Sequence, residues 1–90
     1  MTSDSNTIST LAQERIKSYM DYVLEADECQ TRYLSGFGWV MAFEFSHEVE
    51  LRLIGDAAGL VRRRGTDLFM ERRKDGTMRL IVPFKKKDAA

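Results

Sequence analysis

A histidine beside a carboxylate is the first arrangement in this chain with the makings of chemistry: "FSHEVE" sets His47 next to Glu48. Such a pair can act as a tuned acid or base. His47 is the single histidine, however, and the stretch reads as a hairpin turn, so nothing is placed to complete a relay. His47 therefore reads as an ordinary surface residue. The single cysteine, Cys29, follows the acidic run "EADE". Negative neighbours raise a thiol's pKa and make it a poor nucleophile. One cysteine also excludes an internal disulfide and every multi-cysteine metal motif. No spacing of His, Cys, Asp or Glu suits a metal. The glycine-bearing stretches "SGFG" and "GDAAG" lack the order of a phosphate-binding fingerprint. The expectation is no catalytic residue, no metal and no cofactor.

The basic residues are more telling. "RRRGTDLFMERRKDG" (62–76) is followed by "KKK" (85–87) in a chain of zero formal net charge. Residues 1–50 hold nine acids and three bases, a net of −6; residues 51–90 hold five acids and eleven bases, a net of +6. Charge asymmetry between halves hints at a charged partner. It can equally be satisfied inside the fold, or between copies as a closed homodimer.

The elements that would position these charges follow from periodicity. From Thr10, apolar residues at three- and four-residue spacing (Leu11, Ile16, Tyr19, Met20, Val23) predict one amphipathic helix. Thr10 and Gln13 read as its capping box. Its polar side carries Glu14, Asp21, Glu25 and Glu28, and Gly36 reads as the stop. The remainder reads as strands: "WVMAFEF", "VELRL", a poorer "GLVRRR", "LFMERR" and "MRLIVPF". The predicted fold is α+β, one N-terminal helix across a roughly five-stranded antiparallel meander, as a single domain over 8–85. Residues 1–7 are expected to be disordered and 86–90 a frayed basic tail. The expected core sets Leu11, Ile16, Tyr19, Met20 and Val23 against alternate residues from Trp39 to Phe84. A competing reading makes 46–61 a second helix capped by Ser46, over a three-stranded sheet. Gly55 and Gly59 would each cost that helix about 1 kcal/mol, so strands are preferred.

Side-chain faces fix the last register. A three-residue loop, Lys74–Asp75–Gly76 with Gly76 left-handed, sets Phe69 across from Ile81, Met70 from Leu80 and Glu71 from Arg79, and sorts apolar from polar. With the helix on one face, the other gathers Arg62, Arg64, Arg73, Arg79 and Lys85 around Phe69 and Ile81. That face would bind a partner: an acidic protein first, or as the alternative a single-stranded nucleic acid, with bases on Phe69 and phosphates on the cations. A pI near 6.6 weighs against nucleic acid. The acidic helix face is a secondary surface, able to imitate a row of phosphates. Cations along sheet edges also discourage unwanted strand pairing.

The closing "MRLIVPFKKK" is similar to the last strand and basic tail of RelE-like mRNA-cleaving toxins. The chain is not basic overall and no strand precedes the helix, so the resemblance is set aside. The N-terminus lacks the basic and apolar regions of a signal peptide, and no apolar run is long enough to span a bilayer. The expectation is a cytoplasmic, non-enzymatic interaction protein, a regulator or inhibitor of the size met among phage and mobile-element proteins.

Overall fold

Helix α1 (Thr10–Tyr22) starts where Ser9, extended at φ −63° and ψ 158°, accepts a hydrogen bond from the Ala12 amide at 3.1 Å. The cap is thus one residue earlier than "TLAQ" suggests, and Gln13 reaches back to the Ile8 carbonyl at 2.9 Å instead of closing a box. Ile8, Ala12, Ile16, Met20 and Leu24 are all buried. They stand every fourth residue, one narrow ridge of a helix. Leu11 and Val23, expected in the core, lie off that ridge and are exposed. Beyond α1, Glu25 takes a left-handed φ of 60°, and the Ala26 amide turns back to the Met20 carbonyl at 3.0 Å.

The structure, a computed structural model, describes residues 6–87. It is α+β with two helices and a four-stranded antiparallel sheet: α1, β1 (Glu28–Leu34), β2 (Gly38–Phe45), α2 (Leu51–Arg63), β3 (Phe69–Arg72) and β4 (Met78–Pro83), with strand order β1-β2-β4-β3. The expected five-stranded meander is corrected at three points, the first being its order: β4 lies between β2 and β3, so the consecutive strands β2 and β3 are not neighbours. The stretches "VELRL" and "GLVRRR", read as strands, fall largely within α2, as the competing helical reading of 46–61 has it, because Ala57 and Val61 at helical spacing bury completely while Leu51 is left 72% exposed. Ser46 does not cap this helix; Glu50 occupies the cap position without a side-chain bond. The fourth strand is β1, where the sequence shows no clean alternation. The expectations for residues 1–5 and 88–90 lie outside the described residues. Thr7 pairs with Lys85 in an isolated bridge, and the Lys86 and Lys87 amides donate to the Asn6 and Gly65 carbonyls.

The β3–β4 register is the one the faces demanded: Phe69 opposite Ile81, Met70 opposite Leu80, Glu71 opposite Arg79. Arg73 and Thr77 close the loop, with Gly76 at φ 92°. Both helices pack on one face of the sheet, against Met41, Phe43 and Phe45 of β2 and Met78, Leu80 and Val82 of β4. Trp39 and Met70 share that face by parity but lie outside the helices' cover and are exposed. The other face has a small core of its own. Val40, Ala42 and Ile81 are buried beneath Leu34 and Phe37, which the β1–β2 hairpin folds over them.

The helices run in opposite directions along the strands. At one end α1 begins and α2 stops; there Ile8 donates to the Phe84 carbonyl at 2.8 Å and Lys87 to the Gly65 carbonyl at 2.7 Å. At the other end α1 stops and α2 begins. There His47 Nε2 donates to the Leu24 carbonyl at 3.1 Å and the Ser46 amide to Asp27 Oδ2 at 2.6 Å. No helix among the described residues is long and apolar enough to cross a membrane.

Candidate functional site

The expected basic sheet face does not form. Arg62 lies in the last turn of α2 and Arg64 caps its end, so neither belongs to a strand. Arg73 and Arg79 do reach the helix-free face, together with Phe69 and Ile81, but both are committed to one carboxylate. Arg79 Nε donates to Glu44 Oε2 at 2.7 Å and Arg73 donates to Glu44 Oε1 at 2.9 Å. Glu71 stands 3.5 Å from the far side of Arg79. Burial pushes the Glu44 carboxyl up, yet the bonds from Arg79 and Arg73 outweigh it and hold its pKa below the ordinary value. The centre of this face is therefore a neutralised ion cluster. Period-two alternation found the two arginines but could not show that Glu44, on β2, stands between them.

The acidic helix face is likewise dispersed. Glu14 and Asp21 belong to α1, and Asp21 is paired with Lys17 at 2.8 Å. Glu25 follows the helix, and Glu28 opens β1 opposite Glu44. That pairing puts Glu28 on the helix-free face, away from α1.

Positive charge instead gathers at the end where α2 stops. The chain leaves α2 through Arg64 and Gly65, the latter at φ 99°. Thr66, 2% exposed, then donates its hydroxyl to the Pro83 carbonyl at 2.9 Å. This bond ties the end of α2 to the end of β4, and so brings the run Arg62–Arg64 beside Lys85–Lys87. Arg62 and Arg63 suit the helix C-terminus, whose carbonyls favour cations. Arg64 and Lys86 line one cleft of about 600 Å³ with Thr7, Ser9, Thr10 and Gln13, and no carboxylate is among its lining residues. The Arg64 Nε there is buried and has no hydrogen-bond partner among the described residues. A second groove runs past Lys85, Lys86 and Lys87 to Phe37 and Phe69, whose rings meet edge to face at 4.8 Å. Among the described residues the one carboxylate paired at this pole is Asp67, 3.3 Å from Lys87. Sequence reasoning had singled out Arg62, Arg64 and Lys85; it missed Arg63, Lys86, Lys87 and Phe37. The signal was present in the two uninterrupted runs, "RRR" and "KKK".

The remaining chemical candidates both make contacts that hold the fold. His47 latches the β2–α2 connection to the end of α1. Cys29 packs against the main core, and burial raises its thiol above the ordinary value. No group of three or more His, Cys, Asp or Glu converges among the described residues. In comparisons with known proteins, no family model, no curated protein and no solved structure matches this chain at a significant level.

Proposed function

We propose that this chain is a small non-enzymatic interaction protein, a regulator or inhibitor, that holds an acidic macromolecular partner against its basic pole. One observation carries the reading: two basic runs separated by twenty residues, 62–64 and 85–87, lie side by side where Thr66 bonds the Pro83 carbonyl and Lys87 the Gly65 carbonyl, and among the described residues a single paired carboxylate stands beside them. Cations of one sign on a rigid end steer an oppositely charged partner and fix its orientation. The cleft between Arg64 and Lys86 supplies a recess for an acidic side chain, and arginines in such recesses are frequent anchors at interfaces.

Reversal of Arg62, Arg63 and Lys85 to Glu tests the reading, with Arg72→Glu and Lys74→Glu at the opposite end of the sheet as the control. Affinity capture with mass spectrometry is expected to lose the acidic partner with the first set and keep it with the second. The same partners on all three baits would remove the basic pole from consideration.

A second reading rests on the Phe37–Phe69 pair in the groove past Lys85–Lys87. Aromatic faces beside cations hold single-stranded nucleic acid. It requires binding of single-stranded RNA or DNA that weakens steeply with salt; flat titrations at low salt would end it.

A further inference from the structure

The two edges of the sheet are built differently. β3 has four residues and ends in Glu71 and Arg72, a short charged edge of the kind that resists further pairing. β1 has seven residues, "ECQTRYL", with five exposed and no proline, glycine or break in its register with β2. Nothing among the described residues pairs with its outer side. An unbroken edge of this length is a template for another strand, provided that the strand answers the charges Glu28 and Arg32 that β1 carries.

The residues of β1 also say which strand fits. Glu28, Gln30 and Arg32 share the helix-free face, opposite Glu44, Ala42 and Val40. Four residues of one strand span roughly 13 Å, so Glu28 and Arg32 of one chain are too far apart to pair with each other. Neither makes an ion pair among the described residues. The Gln30 amide already donates to the Glu28 carboxylate.

We propose that the outer edge of β1 pairs with β1 of a second copy of this chain, antiparallel about a two-fold axis at Gln30. Glu28 then stands opposite Arg32 of the second copy, and symmetry repeats the pair. Cys29 faces Thr31 of the second copy, and no like charges oppose each other. Moving the axis to Thr31 would set Glu28 against Leu34 and Arg32 against Gln30, with no ion pair directly opposed, so charge selects the first register. The axis is perpendicular to the sheet, which yields one eight-stranded antiparallel sheet with all four helices on the same side. The contact is independent of the basic pole, which lies at the strand ends rather than along the edge.

Sedimentation velocity on the full chain, over a range of concentrations at low and high salt, tests the proposal, with circular dichroism to verify folding of each variant. The wild type is expected to dimerise. Glu28→Arg and Arg32→Glu, at exposed positions, are each expected to weaken the dimer about tenfold or more, since either creates two opposed like-charge pairs. The double variant Glu28→Arg/Arg32→Glu restores complementarity and is expected to recover the dimer. A wild type that sediments as a monomer at every concentration overturns the proposal and leaves the edge to a strand from another protein. A dimer indifferent to the single reversals, or a double variant as weak as the singles, overturns it equally.

Discussion

Glu44 and Arg79 meet across β2 and β4 on the helix-free face, with Arg79 Nε donating to Glu44 Oε2 at 2.7 Å. Arg73, arriving from the β3–β4 loop, donates to the other carboxylate oxygen. One acidic side chain thereby satisfies two cations and fixes the position of the hairpin. Replacing it with the isosteric amide keeps the shape and removes the charge. Glu44→Gln is expected to destabilise the fold by roughly 1–3 kcal/mol, because the amide keeps one acceptor oxygen but turns an N–H2 donor toward the second guanidinium and removes the charge that both arginines face. Urea denaturation of both proteins, with unchanged slope, measures it.

The same cluster gives stability a direction in pH. The folded Glu44 carboxyl titrates below its ordinary value of 4.5, and the exposed Asp27 and Asp75 below 3.8, Asp27 through its bonds with Ser46 and Asp75 through its bonds with Thr77. A depressed carboxyl stabilises the fold above its unfolded pKa, and that contribution is lost as pH falls through the folded one. The urea midpoint is therefore expected to hold at neutral pH and to fall below the ordinary carboxylate range. In Glu44→Gln the fall should be shallower, because one of these three carboxyls, the partly buried one, is gone. An acid profile identical to wild type would show that the Glu44 cluster plays no part in it.

Helix α2 carries two glycines that the fold does not use for close packing. Gly55 is exposed in its interior, and an added Cβ would meet nothing within 4 Å. Gly55→Ala is expected to stabilise by about 1 kcal/mol through helix propensity and a less disordered unfolded chain. A raised thermal midpoint checks it; an unchanged or lower one would mean that α2 is held by packing alone.

These glycines also explain why α2 was hard to read. "VELRL" alternates over five residues, a window in which period two and period 3.6 both find matches, and the two glycines tipped the balance toward strands. Tertiary burial of Ala57 and Val61 overrode that local penalty. The β3–β4 hairpin was legible because a one-residue slip would have turned Met70 and Leu80 to the wrong face. β1 was not, because an edge strand exposed on most of its positions leaves no apolar alternation. The basic residues were visible, but the sheet face assigned to them depended on Arg62 and Arg64 lying in a strand. Placed on a helix end they turn to the pole, where Lys85–Lys87 arrives from the far end of β4. Nothing in the spacing of two runs twenty residues apart announces that meeting.

Thr66 is one of the ties that hold the two basic runs side by side, and it can be tested without touching a charge. It is buried, and its hydroxyl donates to the Pro83 carbonyl at 2.9 Å, joining the end of α2 to the end of β4. Thr66→Val preserves the shape and deletes the donor, leaving that carbonyl without it at an expected cost of about 1–2 kcal/mol. The neighbouring bond from the Lys87 amide to the Gly65 carbonyl, 2.7 Å in the intact chain, should open with it. Hydrogen exchange is the discriminating measurement. Protection is expected to fall at Lys87 while the core amides of β2 and β4 lose no more than global stability requires, and Thr66→Ser should restore it. Uniform loss across the sheet would make Thr66 a packing residue only, and the two basic runs would then owe their proximity to the rest of the fold.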